Sequence, residues 1–263
     1  MSLEPDPIAS ASSQDIPSPP GETAPRASGA PAREVIHRHA LITRVTHWIN
    51  LVCIVIMLMS GFQIFNAHKA LYWGKKGADF DPHWFALPGG FPHWATVPSW
   101  QDLATGRAWH FAFAWIFVVN GLIYLLFGLI SGHFRRDFLP TGIQLRGIGH
   151  TILDHLRLRW PKGEEAKTYN VLQKIAYIGI VIVLPLMVLT GLTMSPGFDT
   201  TAPWLLDLFG GRQSARSLHF IFAWSIVAFV IIHVLAVLFA GPINEIRSMI
   251  TGRYVVEPEE ERP

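Results

Sequence analysis

Cysteine and charge are both scarce in this 263-residue chain. Its single cysteine, Cys53, excludes a disulfide within the chain and any zinc or iron–sulfur site built from several cysteines. Charged residues make up 15% of the sequence and hydrophobic residues 50%, whereas an average soluble domain is about 25% charged. A water-soluble domain of this size would lack the charge needed to cover its surface. The composition therefore predicts an integral membrane protein.

Four long apolar segments contain no Asp, Glu, Lys or Arg. Each is long enough to cross about 30 Å of hydrocarbon as a helix that rises about 1.5 Å per residue. The sequence predicts an all-α, four-helix transmembrane bundle with spans at approximately 45–65, 108–131, 175–195 and 217–240. Pro185 should kink the third span, because it removes one hydrogen bond of the helix. No internal repeat is evident.

The two ends of the chain differ from the spans in composition. Residues 1–35 are rich in Pro, Ser, Ala and Gly and contain few large apolar residues. They cannot bury enough surface to offset the entropy lost on ordering, so we expect a disordered N-terminal tail. They also lack the basic start and apolar core of a signal peptide. A transmembrane domain then extends over 36–254, and 255–263 form a C-terminal tail.

Lysine and arginine are distributed unevenly around the spans. The N-terminal region, the 132–174 connection and the residues after the fourth span hold 15 of the 21, and the connections 66–107 and 198–216 hold six. The positive-inside rule then predicts cytoplasmic termini, with the aromatic-rich 66–107 loop on the outside, which is the periplasm if the host is a Gram-negative bacterium. In the cytoplasmic connection, isoleucine and leucine at near-helical spacing predict an amphipathic surface helix at about 143–158.

Histidine is unusually frequent, and four of the 12 histidines lie within the spans: His47, His110, His219 and His233. Ionisable residues inside a membrane are costly and usually face the bundle interior, where they have a function. His219 and His233 are 14 residues apart, which places them on one face of the fourth helix, about 21 Å apart. One metal ion cannot use both, whereas two separate sites can.

The predicted topology pairs these histidines by depth. His110 and His219 lie near the outer starts of their helices and should be level near the outer surface. His47 and His233 lie toward the cytoplasmic ends of theirs and should be level near the inner surface. Two stacked pairs of neutral imidazoles suit axial ligation of haem iron, and hydrogen-bonded structural histidines are the alternative. Because no Cys-x-x-Cys-His motif is present, both haems would be held without covalent attachment.

The other eight histidines lie in loops or polar approaches, where we predict surface or structural roles: His37, His39, His68, His83, His93, His133, His150 and His155. Four glycines within the spans could let a flat macrocycle approach the backbone: Gly61, Gly121, Gly128 and Gly191. Simple helix packing is the alternative for these glycines, since glycine is common in membrane helices.

Short motifs open each span. They are Arg44-Val-Thr-His47-Trp48, Gly106-Arg107-Ala-Trp109-His110-Phe111, Tyr169-Asn170-Val-Leu-Gln173, Gly210-Gly-Arg212-Gln-Ser-Ala-Arg216 and the His219/His233 pair. Together, over about residues 36–254, they resemble the four-helix b-type cytochrome subunits of NiFe-hydrogenases, formate dehydrogenases and thiosulfate reductases, in particular the thiosulfate-reductase-like branch. The resemblance implies that the fourth helix supplies one ligand to each of two haems b and that the first two helices supply the others.

Two further groups of side chains are candidates for binding cofactors. Haem propionates need cations or donors at the membrane edge, and the candidates are Arg216, which we prefer, with Arg44, Arg107 and Arg212. The alternative is that these arginines are ordinary side chains that reach the membrane interface and bind no propionate. The resemblance places quinone near the cytoplasmic-side haem, where the third helix begins with Tyr169, Asn170 and Gln173. A helix N-cap formed by Asn170 is the alternative there.

The predicted function is that of a membrane-anchoring dihaem cytochrome b. It would transfer electrons between the quinone pool and a partner, which the resemblance implies is a periplasmic molybdopterin oxidoreductase, as a respiratory-chain subunit rather than a catalytic one. A self-standing cytochrome that acts on quinone and a small molecule is the alternative. Zinc proteases, di-iron hydroxylases and transporters are disfavoured, because His-Glu-x-x-His, clustered histidine boxes and intramembrane carboxylates are lacking. We expect no nucleic-acid partner.

Overall fold

The computed structural model describes residues 34–78, 80–134, 139–157 and 169–256. Its strands and helices, in chain order, are β1 (Glu34–His37), α1 (Leu41–Phe65), β2 (Ala70–Leu71), β3 (Phe85–Ala86), a 3-10 helix (His93–Ala95), α2 (Leu103–Ile130), α3 (Gly142–Arg146), α4 (Ile148–Leu156), α5 (Val171–Leu192), α6 (Pro196–Thr201), α7 (Pro203–Leu208), α8 (Arg212–Ala240), α9 (Pro242–Thr251) and β4 (Arg253–Val256). Helices α1, α2, α5 and α8 are long and apolar enough to cross a membrane. The predicted all-α, four-helix membrane fold is therefore confirmed.

Each long helix begins about one turn before its predicted start. Each predicted span starts at the residue after a basic side chain; these basic residues are Arg44, Arg107, Lys174 and Arg216. The helices of the structure include these residues and begin before them. Polar caps stand at two of the true starts, those of α2 and α5. Asp102 caps α2 by accepting a hydrogen bond from the Thr105 amide at 3.0 Å, and this bond lowers the pKa of the Asp102 carboxyl. The absence of charge thus marks the apolar part of each helix and not its first turn.

The four long helices form two hairpins, in which α1 packs on α2 and α5 packs on α8. We call the end of the bundle where α1 and α5 begin the inner end, and the opposite end the outer end. A buried polar residue joins the first hairpin near its inner end: the Asn120 amide donates to the Thr46 carbonyl at 2.9 Å and to the Asn50 side chain at 2.7 Å. Buried polar groups need such partners in hydrocarbon, where no water can replace them.

The two hairpins repeat one another, contrary to our expectation that the chain has no repeat. His110-Phe-Ala-Phe-Ala-Trp115 in α2 matches His219-Phe-Ile-Phe-Ala-Trp224 in α8. Met57-Leu-Met-Ser60-Gly61 in α1 matches Met187-Val-Leu-Thr190-Gly191 in α5. The second helices align at an offset of 109 residues and the first helices at 130, since 219 − 110 = 109 and 187 − 57 = 130. The connection between the two helices differs in length between the hairpins. A comparison of the sequence with itself at one constant offset therefore does not reveal the repeat.

At the inner end the two chain termini of the bundle are tied together. Strand β1 pairs antiparallel with β4, with Glu34 opposite Val256 and His37 opposite Arg253. This ladder extends two residues beyond the predicted domain boundaries at 36 and 254. The indole of Trp48 donates to the Met249 carbonyl at 3.1 Å, so α9 is held against the start of α1. Most of the predicted tails, at 1–33 and 257–263, lie outside the described residues.

The amphipathic surface helix predicted for 143–158 is present as two short helices, α3 and α4, that meet at Gly147. Thr141 opens α3 in a capping box with Gln144, a motif that satisfies amide groups at a helix start. The predicted end at 158 lies outside the described residues. Pro185 lies within α5, which continues as a helix to Leu192.

At the outer end, the long connection between α1 and α2 is fastened to the start of α8. The Ser217 hydroxyl donates to the Tyr72 carbonyl at 2.6 Å and accepts from the Trp84 indole at 2.9 Å. The Ser214 hydroxyl accepts from the Gly74 amide at 2.7 Å. Asn66 binds both the amide and the carbonyl of Phe91 within the connection itself. This outer connection is therefore an ordered platform, although it has little regular secondary structure.

Close packing between α1 and α2 predicts a specific effect at Gly106. A Cβ atom there would lie 2.6 Å from Cγ of Gln63, and Gln63 is fully buried and donates to the Trp100 carbonyl at 2.7 Å. We expect Gly106→Ala to destabilise the bundle by about 1–3 kcal/mol, the usual cost of overpacking. Gly121→Ala is the matched control, because its Cβ would meet nothing within 4 Å. Thermal unfolding in detergent measures both, and an unchanged transition for Gly106→Ala would contradict this packing.

Candidate functional site

The structure brings the four intramembrane histidines together as two pairs. His110 and His219 face each other toward the outer end, with ring centroids 6.2 Å apart and ring planes inclined by 59°. His47 and His233 face each other toward the inner end, with centroids also 6.2 Å apart and planes inclined by 76°. These are the pairs that topology predicted. The outer pair joins α2 to α8, and the inner pair joins α1 to α8.

Hydrogen bonds fix the orientation of the outer pair. Nδ1 of His110 lies 3.1 Å from the Met57 carbonyl and 3.1 Å from the Ser60 hydroxyl. The Ser60 hydroxyl already donates to the Ile56 carbonyl at 2.7 Å, so it accepts from the ring. Nδ1 therefore carries the proton, and Nε2 keeps its lone pair for a ligand. Such a bond orients a ligating imidazole and raises its basicity.

His219 is held in the same way by the second hairpin. Its Nδ1 lies 3.0 Å from the Met187 carbonyl and 3.1 Å from the Thr190 hydroxyl, and that hydroxyl donates to the Leu186 carbonyl at 2.8 Å. A Cβ at Gly191 would lie 3.3 Å from Cε1 of the ring. The glycine therefore makes room for the imidazole beside α5. The repeated Met-x-x-Ser/Thr-Gly motif is thus a seat for one outer histidine in each hairpin.

The four glycine candidates have different neighbours. Gly61 is the α1 counterpart of Gly191, and a Cβ there would lie 3.6 Å from Cε1 of His110. A Cβ at Gly128 would lie 2.4 Å from Phe134, so this glycine accommodates an aromatic ring, whereas a Cβ at Gly121 would meet nothing within 4 Å. Two of the four therefore serve the histidine seats directly.

Aromatic rings flank the inner pair. The His47 ring meets the Trp48 ring edge-on, with centroids 5.5 Å apart. The His233 ring stacks on Phe229, one turn earlier in α8, with centroids 5.9 Å apart and planes inclined by 3°. Nearby, burial and the neighbouring Arg38 lower the pKa of His39 to about 4. His39 is therefore neutral at physiological pH, which avoids a further cation beside the inner pair.

The spacing of each pair fits a metal ion held between two imidazoles. A metal–nitrogen bond of about 2 Å on each side, with each ring centroid about 1 Å behind its nitrogen, gives a centroid separation of about 6 Å. Among the residues that the structure describes, no three His, Cys, Asp or Glu side chains form a metal-binding group. A two-donor site suits iron whose remaining positions are filled by a macrocycle. The residues present therefore fit a bis-histidine haem at each level.

The four arginine candidates lie at the ends of the bundle, and each has a neighbour within the protein. Arg216 donates to the Ala70 and His68 carbonyls of the outer connection, and Arg212 donates to the Met194 carbonyl. Arg107 lies over the Phe111 ring, and Arg44 donates to the Ile250 carbonyl at the inner end. These contacts give Arg216, Arg212 and Arg44 structural roles, and their contacts with propionates stay predictions.

The quinone candidates lie at the inner end, where α5 begins. Asn170 caps α5, and Asn170 and Gln173 form a capping box in which each side-chain oxygen accepts a backbone amide hydrogen bond. The alternative role that the sequence left open for Asn170 is thus present. Tyr169 packs edge-on against Tyr177, with ring centroids 5.4 Å apart, and lies under the guanidinium of Arg38. Contact of these residues with quinone stays a prediction.

Sequence reasoning did not identify Met57, Ser60, Met187 and Thr190 as part of the outer site. The signal was present in the repeated Met-x-x-Ser/Thr-Gly motif, since hydroxyls recurring with a glycine at one helical level suggest a shared partner. It also did not single out Tyr177 and Tyr124, which stand in the repeat where the other hairpin has His47 and His233, since 47 + 130 = 177 and 233 − 109 = 124.

Comparison with known proteins gives the family. The sequence profile of the prokaryotic cytochrome b561 family matches residues 38–252. The chain belongs to this family, and it is therefore a membrane cytochrome of the b type, whose cofactor is haem b. The resemblance stated from the motifs is thereby confirmed at the level of the family.

Three relatives extend this finding. A protein assigned as a protein-methionine-sulfoxide reductase subunit, YedZ1, from Azospira oryzae is 34% identical over 203 residues, which is 77% of this chain and 91% of that protein. A protein assigned as a Ni/Fe-hydrogenase B-type cytochrome subunit from Cupriavidus necator is 24% identical over 80% of this chain and 82% of its own. A protein with the same assignment from Bradyrhizobium diazoefficiens is 22% identical over 85% and 87%.

The histidine seats generate a prediction for Thr190. Thr190→Val keeps the shape of the side chain but removes the hydroxyl that accepts from His219 Nδ1. Loss of such an outer-shell partner commonly weakens metal binding by about 10–100-fold. We expect haem to leave the purified variant at least tenfold faster than the wild type when excess apomyoglobin competes for it. Ser225→Ala is the control, because that α8 hydroxyl is exposed and bonds only to its own helix, and equal haem loss from both variants would refute the role of Thr190.

Proposed function

We propose that the chain is the dihaem electron-transfer subunit of a membrane oxidoreductase. His110 and His219 would hold the outer haem b, and His47 and His233 the inner one. The observation that carries this proposal is the equal 6.2 Å separation of the rings in both pairs. Because α8 contributes to both levels from positions 14 residues apart, the two sites are stacked along one helix, about 21 Å apart.

The bound haem would supply one-electron iron chemistry. The chain supplies the conditions for it. Met57 and Met187 carbonyls hold each outer imidazole in the tautomer whose Nε2 can ligate. The apolar spans exclude water and charge from both levels, and that environment is one of the factors that set a reduction potential. The outer connection packs at the outer end of the bundle, and the β1–β4 strand pair lies at the inner end.

The outer connection supports the proposal of a redox partner at that end. Several large aromatic side chains on it are exposed: Trp73, Phe80, Trp84, Trp94 and Trp100. Exposed aromatic residues on an ordered platform are typical of protein interfaces. The relatives that are assigned as subunits of a sulfoxide reductase and of hydrogenases support a redox protein as the partner. A periplasmic molybdopterin oxidoreductase is our proposal for it, on the resemblance to formate dehydrogenase and thiosulfate reductase subunits.

The charge distribution supports an orientation in a bacterial inner membrane in which both termini lie on the cytoplasmic side. Most basic residues flank the inner end, which the positive-inside rule places on the cytoplasmic side. The platform and the outer pair would then face the periplasm. Quinone would exchange electrons with the inner haem, near the start of α5, where Tyr169 lies beside Arg38 and Tyr177. An ordered outer platform favours a subunit with a protein partner over a self-standing cytochrome.

Haem content tests the central claim. The purified full-length chain should contain two haems b, because each level has one pair of facing imidazoles. A pyridine haemochrome assay against protein concentration measures this ratio, and a reduced-minus-oxidised spectrum identifies the haem type. A ratio of one would remove one of the two proposed sites, and a ratio of zero would remove the proposal.

Replacing one inner ligand should separate the levels. His233→Ala is expected to lower the ratio from two haems to one, since His233 faces only the inner partner His47 and lies about 21 Å from His219 along α8. His47→Ala should give the same single-haem spectrum. His93→Ala, in the outer 3-10 helix, is the control and should retain two. Different residual spectra for His233→Ala and His47→Ala would contradict the inner pairing.

A further inference from the structure

The internal repeat has a chemical asymmetry at the inner end. At the outer level, the two hairpins contribute equivalent histidines, His110 and His219. At the inner level, the first hairpin contributes His47 where the second has Tyr177, and the second contributes His233 where the first has Tyr124. The inner level therefore has two sites that are related by the repeat. One contains the imidazoles of His47 and His233, and the other, the phenol place, contains the phenols of Tyr124 and Tyr177. The imidazole site is proposed above to hold a haem, and the phenol place includes Tyr177, beside which quinone is proposed to react.

A cluster of polar and ionisable side chains surrounds the phenol place. Tyr169 packs edge-on against Tyr177 at 5.4 Å between ring centroids. Tyr124, Arg38 and Glu245 all lie close enough to couple electrostatically to Tyr177. These side chains come from α2, α5, α9 and the segment after β1. The fold therefore gathers hydroxyl, guanidinium and carboxyl groups at the inner end of an otherwise apolar bundle.

Arg38 connects this cluster to Glu245. Its guanidinium lies 4.3 Å from the ring centroid of Tyr254 and 5.6 Å from that of Tyr169. Asn244, next to Glu245, donates to the Val255 carbonyl at 2.8 Å and accepts from the Val255 amide at 3.1 Å, so the start of α9 is held against the strand that carries Tyr254. The Tyr254 side chain lies close enough to the Glu245 carboxyl to lower its pKa. Continuous contacts thus run from Glu245 on α9 through Tyr254 and Arg38 to Tyr169 at the start of α5.

Glu245 differs from the other carboxylates of the chain. Among the carboxylates whose side chains the structure describes, Glu34 and Glu245 lie at the inner end, and Glu34 is exposed whereas Glu245 is partly buried. Burial raises the pKa of the Glu245 carboxyl, and the opposing influences are Arg38 and the Tyr254 hydroxyl. The groups that face it are therefore Arg38 beside β1, Tyr254 on β4 and Tyr177 on α5. Burial thus makes the Glu245 carboxyl a weaker acid than an exposed one, and a carboxyl of raised pKa is suited to general acid–base chemistry.

We propose that Glu245 is the proton-exchange residue for a quinone headgroup bound beside Tyr169 and Tyr177. This inference rests on the proposed function, which places a quinone site at the start of α5. Oxidation of a quinol breaks two O–H bonds and releases two electrons and two protons. The electrons leave one at a time toward the inner haem and the partner protein. Each proton passes to the Glu245 carboxylate and from there to water at the inner surface, and quinone reduction follows the same route in reverse.

The experiment follows haem reduction by a quinol in the purified, haem-loaded chain. Decylubiquinol and menadiol serve as the two donors, and stopped-flow absorbance gives the rate. In the wild type the rate should rise with pH as Glu245 ionises, because the carboxylate is the proton acceptor. Glu245→Gln should lower the rate by about 100-fold or more, since general acid–base groups usually contribute about 10²–10⁴-fold, and should remove this rise. Its haem content should stay at two, since Glu245 touches neither histidine pair.

Three variants make the result specific. Glu34→Gln, the same change on the exposed carboxylate of the inner end, should react as the wild type does. Glu245→Asp should restore part of the rate. Tyr254→Phe should move the pH profile to higher pH, because the hydroxyl that it removes lowers the pKa of Glu245. Should Glu245→Gln lose its haem, the Tyr254→Phe shift decides the question in its place.

The possible outcomes separate the two proposals. Wild-type rates and pH dependence in Glu245→Gln, or an unshifted profile in Tyr254→Phe, would overturn the role of Glu245 and leave the quinone proposal intact. A wild-type chain that contains two haems but is reduced by neither quinol would overturn the quinone role itself. A wild-type chain without haem would overturn the proposed function before Glu245 is tested.

Discussion

The absence of water in the hydrocarbon core is the constraint on which the structure of this protein depends. Each polar group placed there must find a partner within the protein. The Asn120 amide binds the Thr46 carbonyl, and the outer imidazoles bind the carbonyls of Met57 and Met187. Those carbonyls belong to helices that already satisfy their own backbone. Because the same bonds hold Nδ1, they leave Nε2 of each outer ring to a ligand, so the requirement for polar partners also prepares the candidate haem site.

The repeat explains why the two levels differ. Equivalent positions of α2 and α8 supply both outer histidines, and equivalent motifs on α1 and α5 seat them, so the outer level has approximate two-fold symmetry. The inner level breaks that symmetry, since His47 and His233 are not equivalent to each other and their counterparts are Tyr177 and Tyr124. Imidazole ligates metal, whereas a phenol donates and accepts hydrogen bonds. The inner level therefore combines two imidazoles, which suit a metal, with two phenols, which suit hydrogen bonding.

The sequence predicted the spans and the pairing of the histidines because both depend on one-dimensional properties, the absence of charge and the depth along a helix. It misplaced the helix starts by about a turn, because Arg44, Arg107, Lys174 and Arg216 lie inside helices that reach into the interface. The repeated Met-x-x-Ser/Thr-Gly motif marks Ser60 and Thr190 in the sequence but not their histidine partners, since these contacts depend on how neighbouring helices rotate against each other. The cluster around Glu245 could not be predicted from the sequence either, because strand pairing between distant residues brings Arg38 to Tyr254.

The platform at the outer end is fastened to the helix that carries His219. Ser214, Arg216 and Ser217 fasten the connection, and they lie within five residues of His219 on the same helix. A partner that docks on the exposed tryptophans would thus be positioned by hydrogen bonds to the ligand helix itself rather than by a flexible linker. The residues around His219 therefore serve two purposes: they hold the platform, and they begin the helix that links both levels.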